Sequence, residues 1–332
     1  MLKLTGWVEI EGKRLTPQDI GTLLQDDPAR VLKFGGEFFL AGYGCRARDH
    51  WGIIQGNCPK GTLICDGVEK GRIEPVVPDL PLEEAIVTAV NLRSDEGVTA
   101  LSGGVDSTLV AHLARRECVA VGLVDSHDLN QARNAADTLG LSCTYVTITP
   151  KELAAALPQV IGAIPVRDPV NTSIALTQYF VARFAGEQGY RRVITGQGAD
   201  ELFGGYSRYL ETPTLDEDLE RDFLGLELQA TRDQSVAALH GAYFSMPYMD
   251  VRVVRAARAI PAAEKVQGGR RKIPLRQVAE RHIPAEFAWY EKKAMQYGSG
   301  VWKELQRLAR KNGYKVSLQD YIDHISGVEH GH

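Results

Sequence analysis

Short apolar runs alternate with glycine and polar turns along the first 75 residues, and the runs at 6–10, 38–43, 51–54 and 62–65 read as strands of a small β-rich unit. Residues 74–81, Glu-Pro-Val-Val-Pro-Asp-Leu-Pro, hold three of the chain's 15 prolines. That density disfavours helix and central strand alike and reads as a linker, so the expected domains are 1–75 and 76–332. Beyond it the period changes. An apolar run at 98–101 ends in Ser102-Gly103-Gly104, and Leu109, Val110, Leu113 and Ala114 then mark one face of a helix. Residues 118–124 form a second buried run, and Leu129, Ala132, Ala136 and Leu139 recur at helical spacing up to Gly140, a C-terminal cap. A third strand at 144–148, a helix at 174–184 and a fourth strand at 192–195 continue the alternation. This order predicts an α/β fold, a parallel sheet with helices on both faces, in which ligands sit beyond the carboxyl ends of the strands. From 214 onward the pattern is mostly helical, at 216–225, 251–260, 273–282 and 301–310, and the two histidines of the polar tail 327–332 read as frayed.

Charge and cysteine usage narrow the function classes. With 38 Lys+Arg against 42 Asp+Glu the net charge is −4, so the strongly basic surface of a generic nucleic-acid binder is not expected. No apolar stretch reaches the roughly 18 residues of a membrane span, and Met1-Leu2-Lys3-Leu4-Thr5-Gly6-Trp7 has no signal-peptide apolar core. A cytoplasmic protein with no membrane partner is the expectation. The five cysteines, Cys45, Cys58, Cys65, Cys118 and Cys143, are odd in number and include no Cys-x-x-Cys pair. They read as buried reduced thiols rather than a disulfide framework, and Cys45, Cys58 and Cys65 with His50 match no common zinc spacing.

The chemistry concentrates in Ser102-Gly-Gly-Val-Asp-Ser107, between a buried strand and a helix. Glycines there let backbone N–H groups approach an anion at a helix N-terminus, and Ser102 and Ser107 add hydroxyls. Asp106 would repel a phosphate unless a cation intervenes, which points to Mg²⁺. The hexapeptide resembles the pyrophosphate-binding loop of the N-type ATP pyrophosphatases, which release pyrophosphate and leave AMP on the substrate. Thr195-Gly-Gln-Gly-Ala-Asp-Glu-Leu-Phe-Gly-Gly-Tyr206 narrows the resemblance to the asparagine synthetase and β-lactam synthetase family. It again follows a strand, so Asp200 is expected at the same sheet edge as Asp106. The resemblance implies ATP and Mg²⁺ as cofactors, Asp106 and Asp200 as metal ligands, and Ser102, Gly103, Gly104 and Ser107 around pyrophosphate. It also puts Thr195 and Gly196 near AMP and Leu101 and Val121 near adenine. Residues 272–276 with Ile283-Pro284, and the segment 288–300, are similar to the C-terminal part of the synthetase domain. There Lys272 falls on the lysine near pyrophosphate, and Lys292, beside Lys293, on the one that stabilises charge in acyl transfer. The segment 240–250 matches a scaffold stretch of the family.

Two departures shape the functional expectation. Gln197 stands where asparagine synthetases carry a glutamate and β-lactam-type synthetases a tyrosine, and Tyr243 stands where asparagine synthetases usually carry glutamate. A carboxamide cannot act as a general base near neutral pH, so aspartate is not the expected substrate. Residues 37–43 and 46–53 resemble fragments of the family's glutamine-hydrolysing domain, whose nucleophile is a cysteine at position 2; this chain has Leu2. The expectation is a reduced N-terminal domain without glutaminase activity and a synthetase that adenylates a small-molecule carboxylate and transfers it to ammonia or an amine. Catalytic residues would be Lys292, Gln197 and Tyr243. A separate glutaminase as ammonia supplier and a homodimer are left open. The alternatives are an ammonia-dependent asparagine synthetase, a sulfur-transfer enzyme acting on tRNA, and a non-catalytic nucleotide-binding regulator.

Overall fold

The computed structural model describes residues 2–291 and 295–327; Lys292, Lys293 and the tail histidines His330 and His332 lie outside the described residues. Packing divides the chain into two units. One comprises Met1–Asp95, Gly196–Gln234 and Ser245–Val278, the other Glu96–Thr195, Ser235–Phe244 and Ala279–His332. This is a division by packing and differs in kind from the boundary at 75/76 marked by the prolines.

The first unit holds a six-stranded antiparallel sheet in the spatial order Lys13–Arg14, Lys3–Ile10, Gly35–Gly42, Cys45–Arg48, Thr62–Cys65, Val68–Arg72. Val8, Ile20, Leu24, Phe34, Phe38, Leu40 and Leu63 form its core under the helix Pro17–Asp26. The runs expected at 6–10, 38–43 and 62–65 are realised as strands. The run at 51–54 is not: it forms a turn, which delivers the N–H groups of Ile53 and Ile54 to the buried Asp49 carboxylate at 2.9 Å each. The fourth strand is Cys45–Arg48, whose arginines disguise it. Its register sets Cys45 opposite Cys65 on the neighbouring strand, and the two are joined in a disulfide. The expectation of five reduced thiols is corrected here, because two cysteines distant in sequence become cross-strand neighbours.

A run of buried charges ties this sheet to the helices Leu82–Asn91 and Val251–Arg258 of the same unit. Glu37 accepts from Trp7 Nε1 at 3.1 Å, Arg93 Nε at 3.0 Å and the Met246 N–H at 2.7 Å. Arg93 also reaches Asp250 at 3.0 Å, and Arg252 donates to both Glu9 oxygens, at 2.7 and 2.9 Å. Charges this deep persist only when paired and hydrogen-bonded, and each here has an opposite partner.

The second unit is built on the sheet Tyr243–Ser245, Arg192–Ile194, Val98–Ala100, Cys118–Leu123, Cys143–Ile148, in that order. The last four strands are mutually parallel, with registers such as Val193↔Val98, Thr99↔Cys118 and Cys118↔Cys143. Cys118 and Ala120 cluster with Leu101, Ala111, Leu129, Ala132 and Ala136, from the helices Val105–Ala114 and His127–Leu139 and the loop before them. The strand period of two turns Val119 and Val121 to the other face. Gly140 caps His127–Leu139 in a left-handed conformation, as its position suggests. The helix Pro150–Ala163 has no counterpart among the expected elements, because Pro158 interrupts its pattern. Thr149 starts it with a capping box: its hydroxyl accepts from the Glu152 N–H while Glu152 accepts from the Thr149 N–H at 3.0 Å.

Candidate nucleotide site

In the second unit, Ser102-Gly-Gly-Val-Asp-Ser107 joins the strand Val98–Ala100 to the helix Val105–Ala114, at the carboxyl edge of the parallel sheet. Ser107 Oγ accepts from the Ser102 N–H at 3.1 Å, lies 2.8 Å from Ser102 Oγ and donates to the Gly104 carbonyl at 3.3 Å. These bonds fix the loop's curvature before any ligand arrives. Gly103 has φ +74°, and a Cβ there would lie 2.6–2.7 Å from Gln131, so the turn requires glycine both for its backbone and for its space. Gly104 supplies no capping side chain, and the first-turn N–H groups of Val105–Ala114 have no side-chain cap among the described residues. Such a helix start favours an anion. Asp106 sits in that first turn. Leu101 and Val121 are both buried, Leu101 within the apolar cluster and Val121 on the other face of its strand.

Thr195 follows the strand Arg192–Ile194 and is buried. Tyr243 lies beside Arg192, the first residue of that strand, at the end away from Thr195. Its buried hydroxyl accepts from Arg192 Nε at 2.7 Å.

In the first unit, Gly196-Gln-Gly leads into the short helix Ala199–Phe203, with Gly198 at φ +89° packed on Met249 and Tyr248. Here the structure brings together two residues that the sequence singled out 72 positions apart. Lys272 Nζ lies 2.8 Å from Asp200 Oδ1, the lysine side chain 9% exposed and the carboxylate 43%. Gly205 makes room for them: a Cβ there would come within 1.8 Å of Asp200 Oδ1 and 2.2 Å of Lys272 Cε. Arg271 donates to the Gly205 carbonyl at 2.7 Å. Lys272 itself holds φ +57°, a conformation uncommon outside glycine and a local strain that this packing maintains.

Neighbouring Glu201 is buried, and burial together with the Asp200 charge pushes its carboxyl above the ordinary range. It accepts from Tyr206 Oη and, at 2.9 Å, from Gln229 Nε2. Gln197 Nε2 donates to Asp233, which also accepts two hydrogen bonds from Arg232, at 2.8 and 3.0 Å. Asp233, Arg232, Glu201 and Gly205 were not singled out from sequence. Arg-Asp on a helix looks like a solvated pair, and only the glycine doublet at 204–205 offered a signal. Lys292 lies outside the described residues.

Carboxylates and hydroxyls are hard oxygen donors of the kind Mg²⁺ takes. Among the described residues no cluster of three or more His, Cys, Asp or Glu side chains could hold a metal ion. A carboxylate such as that of Asp106 in the second unit, or of Asp200 in the first, is the kind that holds such an ion singly with phosphate oxygens completing the shell, rather than within a closed protein cage. The disulfide removes Cys45 and Cys65 as thiolate ligands for zinc.

A parallel sheet whose carboxyl edge carries a glycine-rich loop opening an uncapped helix defines an α/β protein with a loop of a shape suited to an anion. The chain belongs to the asparagine synthase family, whose model matches residues 81–233 and 222–324. It is 30% identical over 290 residues to a putative glutamine-hydrolysing asparagine synthetase of Methanocaldococcus jannaschii, covering 74% of this chain and 53% of the relative. It is 31% identical over 239 residues to the carboxyethyl-arginine beta-lactam-synthase of Streptomyces clavuligerus, covering 70% and 46%. The chain thus spans about half the length of the curated relatives it matches. A solved NMN synthetase of Francisella tularensis is similar at a TM-score of 0.30 and 16% identity over 72% of this chain and 98% of that one, too remote to carry argument. No helix of the described residues is long and apolar enough to cross a membrane.

Proposed function

We propose that this chain is an AMP-forming carbon–nitrogen ligase, in which ATP adenylates a small-molecule carboxylate and ammonia or an amine then displaces AMP. The observation that carries this reading is the loop 102–107: a turn held open by glycine and braced by two serines, at an uncapped helix start. In this scheme Ser102, Gly103, Gly104 and Ser107 receive pyrophosphate, Lys272 neutralises its charge, and Leu101, Val121, Thr195 and Gly196 line the nucleotide. Asp106 and Asp200 would hold Mg²⁺, which when bound screens the phosphates and makes pyrophosphate a better leaving group. Lys292 offsets the charge that develops on the acyl oxygen during transfer. Tyr243, whose hydroxyl is engaged by Arg192, enters as a positioning residue rather than an acid or base.

The nitrogen comes from outside the chain on this reading, as ammonia from a separate glutaminase or as a free amine. Glutamine hydrolysis by this family's chemistry needs an activated thiolate. Cys45 and Cys65 are bonded to each other, and burial pushes the thiol of Cys58 up, that of Cys118 up to about 12 and that of Cys143 up to about 11. The same buried thiols speak against sulfur transfer to tRNA.

The test is product analysis with Mg²⁺, ATP, ammonia and a panel of carboxylates. AMP, pyrophosphate and an amide are expected, with Asp106→Asn lowering AMP formation roughly 100-fold or more at unchanged fold. Release of ADP and phosphate, or an unaffected Asp106→Asn variant, would contradict the proposal.

A further inference from the structure

The strand Cys45–Arg48 turns its two arginines to the same face of the six-stranded sheet, and the structure treats them differently. Arg48 is spent: Nε donates to the Ile54 carbonyl at 2.7 Å, a terminal nitrogen donates to the Gly52 carbonyl at 2.6 Å, and the guanidinium lies 3.5 Å from Glu227. Arg46 makes no hydrogen bond or ion pair among the described residues, although its Nε is closed off from solvent. A buried donor left unmet costs about 1–3 kcal/mol and calls for an acceptor. Arg46 also lines a half-open cavity of about 460 Å³ with Ala41, Gly44, Asn57, Ile64 and Gly67, all in the first unit. The register sets Lys3, Ala41, Arg46 and Ile64 in one row across the sheet, so the small Ala41 leaves a gap between two cations. Acidic side chains do not fill it. Glu69 follows Ile64 in the register, and Asp66 sits in the adjoining turn, where a Cβ on Gly44 would come within 2.4 Å of its Oδ1; both are exposed and neither pairs with Arg46. Arg48 and Arg46 favour ionisation of the Cys58 thiol, but burial outweighs them and pushes it up, so it stays neutral and supplies no counter-charge.

We propose that this cavity binds a small organic monocarboxylate, its two oxygens accepting from Nε and a terminal nitrogen of Arg46 and its carbon body resting on Ala41 and Ile64. That edge of a guanidinium offers two parallel N–H donors, which a carboxylate matches in one plane. One arginine balances one negative charge. A phosphate dianion would bring a second charge beside Asp66 and Glu69 with only the exposed Lys3 to offset it, and the side chains of Ala41 and Ile64 offer it no donor. Asp66 and Glu69 weaken the site little, because water screens them, whereas Nε acts where water is excluded. The cavity is not the counterpart of the family's thiol site: Leu2 packs on the core under the helix Pro17–Asp26, on the other face of the sheet. It is also separate from the ligase reading, since the loop 102–107 belongs to the second unit.

Thermal unfolding of the full chain in sodium isobutyrate, against sodium chloride and sodium phosphate at equal ionic strength, reads the site, since a ligand that binds only the folded state raises Tm. The signal is the saturable rise that Arg46→Gln removes. Isobutyrate should show one, with half-saturation on the order of 1–10 mM and a rise of roughly 2 °C at ten times that concentration. Phosphate should show none, any rise being the same in the native protein and in Arg46→Gln. Arg46→Lys, which keeps the charge without the paired donors, should raise the half-saturation for isobutyrate roughly 10-fold. Asp106→Asn, in the other unit, should keep the isobutyrate rise, which separates this cavity from a carboxylate bound for adenylation. No saturable rise, one that survives Arg46→Gln, one that Asp106→Asn removes, or an equal Arg46-dependent rise with phosphate overturns the proposal, and an unchanged half-saturation in Arg46→Lys overturns the two-point contact. If Arg46→Gln is not recovered folded, Ala41→Leu, which fills the cavity and leaves the guanidinium in place, should abolish the rise, and a rise that persists there overturns the proposal equally.

Discussion

Asp200 and Lys272 show what single residues could and could not reveal. Each was recognisable from a motif, yet nothing in either motif says that they meet at 2.8 Å or that Gly205 is the residue that lets them. Asp233 gave no signal, because its significance lies in burial and in a partner on another segment. Cys45 and Cys65 failed to show for a related reason: cysteine arithmetic counts thiols but does not register strands. Asp49 carries a prediction at this scale. Burial lifts its carboxyl to about 6, against the pull of its backbone N–H donors, so the folded protein keeps a proton that the unfolded chain releases near pH 4. Stability contributed by this group is therefore present below the ordinary aspartate range and is lost as pH rises through it to about 6. Urea unfolding of the native protein and Asp49→Asn should show the native protein's margin over the variant shrinking between pH 4 and 6 and level above; a constant margin would contradict the assignment.

At the scale of elements, the second unit was the more legible. Its four parallel strands and the helices Val105–Ala114 and His127–Leu139 follow from buried runs alternating with helical spacing, because a strand covered on both faces is continuously apolar. Two elements escaped for opposite reasons. Cys45–Arg48 is a strand only four residues long in which the small Cys45 and Ala47 alternate with two arginines, and 51–54 has an apolar look but is spent on a turn that satisfies Asp49. Pro150–Ala163 escaped because Pro158 breaks the pattern without breaking the helix. Its capping box is strong enough to test. Hydrogen bonds from Thr149 and then Arg183 hold the Glu152 carboxyl down at about 2. Thr149→Ala removes the cap hydroxyl and should cost about 1 kcal/mol in denaturant unfolding at pH 7. No measurable loss would mean that the helix start is held by packing alone.

Across the whole molecule, the N-terminal sheet shares one packing unit with parts of the family-matched region, residues 81–95, 196–234 and 245–278, and the buried run from Glu37 through Arg93, Asp250 and Arg252 to Glu9 is internal to it. The linker prolines were legible, but the charge network that spans them was not, because its members lie as much as 243 positions apart in sequence. The central claim is that the loop 102–107 serves carboxylate adenylation. It is tested most directly by isotope exchange between pyrophosphate and ATP, with Mg²⁺ and no amine, across a panel of carboxylates that includes aspartate. The account predicts exchange that depends on at least one carboxylate other than aspartate. ATP binding with no carboxylate-dependent exchange would contradict it.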